Sequence, residues 1–172
     1  MVIGVVSDTH MPRFGRGLPA ALEDGLRRAR IRVLLHLGDF TEPQVVAWFE
    51  RVAPVEAVAG NNDGAALQRR FGRRKIVELA GYRIGLVHGD GRRGTTEQRA
   101  LAAFADENVD VICFGHSHIP VCETRGGMWL LNPGSPTDKR RQPLFSYALL
   151  TLQRKRIDAR LCFFDDKRPA PG

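Results

Sequence analysis

Apolar residues along this chain come in short runs, each closed by Gly, Asp, Asn or His. Val2-Ile3-Gly4-Val5-Val6 is followed at once by Ser7-Asp8-Thr9-His10, and Val33-Leu34-Leu35-His36-Leu37 by Gly38-Asp39. Short β-branched runs of this kind predict buried strands that deliver polar residues to loops. Between them, Leu18 to Ala29 carries Leu22 and Leu26 on one helical face. A strand, a helix and a strand in that order predict parallel pairing with a right-handed crossover. Pro43 to Arg51 predicts a second helix with the proline in its first turn. Val55-Glu56-Ala57-Val58 predicts a third strand, running into Gly60-Asn61-Asn62-Asp63.

The rhythm then changes. Lys75 to Leu79 and Arg83 to Val87 flank Ala80-Gly81-Tyr82, which predicts a hairpin. Thr95 to Glu107 predicts a helix capped by Thr95, with Leu101 and Phe104 among its apolar positions. Val109 to Phe114 is a further strand, ending at Gly115-His116-Ser117-His118. The remainder is strand and turn: Val121 to Thr124, Met128 to Leu131, Ser146 to Leu152 and Ile157 to Phe163. The front half is therefore α/β and the back half mostly β. Two sheets packed face to face with helices outside them is the expected arrangement, because a second sheet rich in Val, Leu and Phe must bury one face. Residues 1–164 are expected to form one domain, and the polar, Pro-containing segment from Asp165 to Gly172 a flexible tail.

Composition narrows this picture. A length of 172 residues with 43% hydrophobic content suits one well-buried core and is short for two domains. Cys113, Cys122 and Cys162 are odd in number and widely spaced, which argues against a disulfide framework or a thiolate zinc knuckle. No run is long enough to span a bilayer, and Met1 leads into the first strand without a basic leader. A cytoplasmic protein with no membrane partner is expected. The net charge of +7 and pI near 10.0 favour anionic partners such as phosphate esters and nucleic acid, although charge speaks of association and not of chemistry.

The chemistry lies in the run endings. Five apolar runs end at Asp8-Thr9-His10, Gly38-Asp39, Gly60-Asn61-Asn62-Asp63, His88-Gly89-Asp90 and Gly115-His116-Ser117-His118. In open α/β sheets the carboxyl ends of neighbouring strands meet at one crevice, so these residues are expected to converge. Together they offer carboxylate, amide oxygen and imidazole but no thiolate. That donor set suits Mn²⁺, Fe, Zn²⁺ or Ni²⁺ in a catalytic centre better than a structural zinc site. Asp8 and His10 lie two apart, as do His116 and His118, so extended backbone would aim each pair to one side. His36 stands inside a strand and is expected in the core or supporting a ligand.

The ordered set D-x-H, G-D, G-N-x-D, H-G and G-H-x-H resembles that of the calcineurin-like metallophosphoesterases. The short length and Asn132-Pro133-Gly134-Ser135 resemble their small YfcE-type phosphodiesterase branch. The resemblance runs from Val2 to about Leu161. It implies a four-layer α/β/β/α sandwich of two mixed sheets flanked by helices, with two divalent metal ions, manganese first, at the strand ends. By motif position, Asp8, His10 and His118 would hold one metal, Asn61, His88 and His116 the other, and Asp39 would bridge them. Asp39, Asn61 and His88 would form the catalytic core, with a bridging hydroxide attacking phosphorus in line. Asn62, Asp63 and Asp90 would orient ligands or touch a small phosphate ester substrate. Asn62 stands where many larger relatives carry a histidine, and an amide cannot act as a general acid; Asp90 stands where a second histidine is common. Asn132 and Ser135 would shape a pocket rim or simply a turn, and Arg92 and Arg93 would steer phosphate or stay solvated. A non-catalytic interaction module on this fold, as in the retromer subunit, and a nuclease are the rival readings. A homo-oligomer is a further expectation.

Overall fold

The computed structural model describes residues 1–169; residues 170–172 lie outside the described part. Among the described residues ten strands form two sheets. The first has the order β10-β9-β1-β2-β3 and the second β4-β5-β6-β8-β7. The front-half units are β1 (Val2–Val6), α1 (Ala20–Arg28), β2 (Val33–His36), α2 (Gln44–Glu50) and β3 (Val55–Ala57). They pair in parallel, with Val5 beside Leu35 and Leu35 beside Glu56, as two βαβ crossovers require. β9 (Phe145–Gln153) returns from the far end of the chain to pair antiparallel with β1, and β10 (Arg156–Phe164) pairs antiparallel with β9 at the edge of that sheet.

The second sheet takes β4 (Arg74–Leu79) and β5 (Tyr82–Val87) as a hairpin. Its turn is Ala80-Gly81, both left-handed, so Tyr82 pairs with Leu79 and belongs to the strand. β6 (Val111–Cys113) and β8 (Met128–Asn132) add in parallel, and β7 (Val121–Arg125) closes the edge. Both sheets are mixed.

Alternation along the strands builds the layers. In β1, Ile3 and Val5 face the second sheet, joining Leu35, Ile84, Leu86, Val111, Leu131 and Leu150 in a core between the sheets. Val6 faces the other way, toward Leu22 and Leu26 of α1, Val46 and Phe49 of α2, and Leu67 and Phe71 of α3 (Ala65–Phe71). On the outer face of the second sheet, Ala100 of α4 (Thr96–Ala103) and Phe104 just beyond it cover Ile112 and Leu130. The result is the four-layer α/β/β/α sandwich, because each sheet is apolar on both faces and needs cover on both.

The sequence pattern does not announce α3, although Leu67 and Phe71 lie four apart behind Gly64. α4 stops at Ala103, four residues short of the expected Glu107. Phe104 breaks to φ −126° and turns inward, while Thr95 caps the helix as expected through a reciprocal bond pair with Gln98. The expected tail is tied down through its described part. Lys167 Nζ donates to the carbonyls of Phe14 and Thr137, and the Ala20 amide donates to the Arg168 carbonyl. Among the described residues no helix is long and apolar enough to cross a membrane.

Candidate metal centre

The parallel strands β1, β2 and β3 of one sheet and β5, β6 and β8 of the other end on the same rim of the sandwich. The rim is stitched by main-chain bonds. Asp8 N donates to Gly38 O and His10 N to Asp39 O, while Gly115 N donates to His88 O. Across the two sheets, His116 N donates to Asp8 Oδ2 at 2.9 Å. All seven predicted ligands sit along this rim.

Their donor atoms fall into two groups. Asp8, His10 and His118 form the first: His118 Nε2 lies 3.5 Å from Asp8 Oδ1 and 3.3 Å from His10 Nε2. Asn61 Oδ1 is the centre of the second, 3.1 Å from His88 Nε2 and 3.0 Å from His116 Nδ1. Asp39 Oδ2 stands between them, 3.6 Å from His10 Nε2 and 3.3 Å from His88 Nε2. Asp8 Oδ1 also approaches the second group, at 3.9 Å from His88 Nε2, and Asp8, Asp39 and His88 could themselves hold an ion.

The convergence has a different cause from the one the spacing suggested. Asp8, His10, Asp39, His116 and His118 all have positive φ, between 45° and 66°, so neither D-x-H nor H-x-H is extended. Left-handed backbone disfavours residues with a Cβ, and strain of this kind persists where surrounding bonds over-determine it. Here Ser135 Oγ donates to the Asp8 carbonyl and Thr137 Oγ1 to that of Thr9. Asn132 Nδ2 donates to Gly115 O and Ser117 Oγ. Buried Asp63 accepts from Asp39 N, Thr41 N and Gly60 N, fixing the loops after β2 and β3 to each other.

The electrostatics call for cations. Asp8 and Asp39 are buried, and among the described residues no Lys or Arg pairs with either. Buried carboxylates need a counter-charge. Asp8 Oδ1 has no hydrogen-bond partner. His88 Nδ1 faces the Leu37 carbonyl at 2.7 Å and His118 Nδ1 the Asp138 carbonyl; donating there leaves each Nε2 lone pair aimed at the site. Without metal, burial pulls the His88 pKa down, but its pairing with Asp39 and the charge of Asp8 prevail and push it up to about 9. A proton thus occupies His88 between the two carboxylates, on ground suited to a metal ion. Burial raises the Asp39 pKa, yet its bonds to His88 and Asn62 more than reverse this and hold the carboxyl well below its usual range. Burial lowers His10 and His116, which keeps both imidazoles neutral and available as ligands. The residues present therefore fit divalent metal.

The remaining predicted residues support or flank the site. Asn62 donates through N and Nδ2 to both oxygens of Asp39, at 2.8 and 2.7 Å. Asp90 is gripped by Arg73, which also donates to the Gly60 carbonyl, so Asp90 braces the β3 loop. His36 is fully buried and stacks on Phe40. Its Nδ1 accepts from Gly38 N and its Nε2 donates to Thr9 Oγ1, away from both donor groups. Arg92 and Arg93 are exposed. Sequence reasoning missed Thr9, Thr137 and Asp138, which brace ligands through hydroxyl or main-chain contacts; their only signal was proximity to the Asp8 and Asn132 motifs.

A two-sheet sandwich with His, Asp and Asn donors converging at its strand ends defines a metal-binding hydrolase class. The chain belongs to the calcineurin-like phosphoesterase superfamily, whose family model, described as "Calcineurin-like phosphoesterase superfamily domain", matches residues 1–155. It is 37% identical to a probable metallophosphoesterase of Methanothermobacter thermautotrophicus, over 94% of this chain and 91% of that protein. It is 27% identical to a phosphodiesterase of Methanocaldococcus jannaschii, over 78% and 83% of the two chains. In fold it is similar to Vps29 of Entamoeba histolytica in complex with Zn²⁺. The TM-score is 0.74 at 22% identity, covering 96% of this chain and all of the other.

Proposed function

We propose that this chain is a phosphodiesterase that works with two divalent cations, manganese foremost, with iron, nickel and zinc as alternatives. Asp8, His10 and His118 would hold one cation, and Asn61, His88 and His116 the other, with Asp39 shared. The observation that carries this reading is the position of Asp39 Oδ2, within 3.6 Å of a nitrogen from each group. When bound, such a pair supplies an activated water and positive charge against the phosphoryl oxygens. The chain's own residues supply orientation. Asn62 and Asp63 fix Asp39, and the carbonyls of Leu37 and Asp138 set the faces of His88 and His118.

Position 62 carries an amide that is already bonded to Asp39 and cannot protonate a leaving group. The site suits esters whose leaving group departs without a proton. The name of the M. jannaschii relative supports a diester over a monoester. Three free cysteines suit a reducing, cytoplasmic setting.

The test is hydrolysis of bis-p-nitrophenyl phosphate and p-nitrophenyl phosphate by chelator-stripped protein, with Mn²⁺ restored or EDTA kept, beside a metal count by emission spectrometry. Two metals per chain and Mn²⁺-dependent cleavage favouring the diester are expected. No metal-dependent cleavage would favour an interaction module on this fold, and preferential degradation of DNA or RNA would favour a nuclease.

A further inference from the structure

The segment His116-Ser117-His118-Ile119 runs along a ridge between two depressions. On one side, a depression of about 230 Å³ is lined by His118, Ile119, Lys139, Arg140, Arg141 and Gln142. On the other, a groove of about 530 Å³ runs from Ser117 and Ile119 over Phe114 and Val121 to the first turn of α4 and Arg125. Ser117 and Ile119 border both, so each opens beside the ligand histidines.

The two sides differ in charge. Arg125, at the far end of the groove, is neutralised by Glu97 and Glu123 at 2.5 and 2.7 Å. Among the described residues no carboxylate lies within ion-pair distance of Lys139, Arg140 or Arg141. Lys139 Nζ turns to the Pro143 carbonyl, and Gln142 N closes a turn onto Lys139 O, which leaves exposed Arg140 and Arg141 at its tip. That turn is fixed to the centre, since the residue before it, Asp138, holds His118 through its carbonyl. Uncompensated guanidinium groups anchored beside a phosphoester site are suited to a phosphate by charge and by paired donors. The groove offers the opposite chemistry. Ile119 and Val121 give it an apolar wall above the buried ring of Phe114, while Thr95, Gln98 and the Arg125-paired Glu97 place polar groups at its edge. A heteroaromatic base, apolar on its faces and polar on its edges, matches that lining.

We propose that the substrate is a nucleotide phosphodiester carrying a second phosphate, with its base in the groove beyond Ile119 and the second phosphate held by Arg140 and Arg141. This rests on the phosphodiesterase reading and adds a substrate class to it. The ridge makes Ile119 the separator of the two arms, which explains a large aliphatic side chain left 52% exposed beside a metal-ligand histidine.

The experiment compares two esters with the full-length chain and Mn²⁺: thymidine 5′-(p-nitrophenyl phosphate) and the same ester phosphorylated at the 3′ oxygen. The added phosphate is expected to raise kcat/KM about tenfold or more, mostly through KM, with an advantage that shrinks as salt is added. In the Arg140→Ala/Arg141→Ala double variant the ratio between the esters should fall to about one, whereas Arg140→Lys/Arg141→Lys should keep part of it. Ile119→Asp should lower kcat/KM for both thymidine esters relative to methyl p-nitrophenyl phosphate, which has no base. An advantage that survives the double alanine change, or no advantage in the unaltered protein, overturns the proposal. If neither ester is cleaved at all, the phosphodiesterase reading fails separately. Calorimetry of thymidine 3′,5′-bisphosphate on metal-free protein then decides the subsite: a loss of about tenfold or more in the double alanine variant supports it, and equal affinity overturns it.

Discussion

Replacing Asp63 by alanine tests whether the ligand loops are held by the chain itself or by the metal. Asp63 is 3% exposed and accepts three main-chain bonds, from Asp39 N and Gly60 N at 2.8 Å and Thr41 N at 2.7 Å. Truncation removes both acceptor oxygens and with them all three bonds. Asp39 and Gly60 are buried, so their amides would be orphaned away from water, at roughly 1–3 kcal/mol each; the half-buried Thr41 amide can recruit solvent at less cost. A loss of about 3–5 kcal/mol is expected, which is a large share of the roughly 5–15 kcal/mol that holds a domain of this size together. The assay is urea unfolding in EDTA, where no bound metal can mask the change, followed by metal analysis after reloading with Mn²⁺. Asp63→Asn keeps one acceptor oxygen and should recover about half of the stability. An alanine variant within about 1 kcal/mol of the parent, loading metal normally, would refute the claim that this carboxylate builds the site.

Four further outcomes are expected. In metal-free protein the His88 pKa is raised to about 9 from an ordinary 6.5, so its stabilising pairing is complete below about pH 6.5 and is lost as pH rises through 9; urea midpoints in EDTA should fall across that window, and a flat profile would contradict the pairing. Gly60→Ala would put a Cβ 2.1 Å from Asp39 Oδ1 and 2.5 Å from its amide, whereas a Cβ at Gly64 meets nothing within 4 Å; metal content should collapse in the first variant and hold in the second. Gly115→Ala, whose Cβ would lie 1.9 Å from Ser7 Oγ and 2.7 Å from Asp8 Oδ2, should likewise lose metal, read by emission spectrometry on the soluble fraction. Because Asn62 cannot serve as an acid, aryl phosphodiesters should turn over at least about a hundredfold faster than alkyl ones, and equal rates would point to an acid elsewhere.

The donor set was legible because it is written at the ends of apolar runs, where period and composition both change. Val2 to Val6, Val33 to Leu37 and Val109 to Phe114 announce strands, and the residues just past each run occupy the only place where a short strand can present a polar side chain without burying it in the core. Three features escaped, for three physical reasons. α3 is about two turns whose apolar face is just Leu67 and Phe71, too little for periodicity to register. The braces from Thr9, Thr137 and Asp138 act through hydroxyls and carbonyls, and the residue letter carries no sign of a carbonyl's direction. The left-handed backbone at Asp8, His10, Asp39, His116 and His118 is only faintly marked in the sequence, since Asp and His adopt positive φ more often than most residues but far less readily than glycine.

That last feature links fold to chemistry. A strand that simply continued would send Asp8 and His10 to the face that Val6 occupies, into the packed interior shared with Leu22 and Val46. Kinking at Asp8 and again at His10 lifts both onto the rim, and the same kink at Asp39 and at His116 and His118 lifts the partners to meet them. Each kink stores strain on the order of 1–3 kcal/mol, and five of them would defeat a loop with no other attachments. The bonds from Asp63, Asn132, Ser135 and Thr137 offset that cost before any ion arrives. Preorganisation here is a property of the polypeptide, so breaking these braces should weaken metal binding even though none of the four residues supplies a donor to either group.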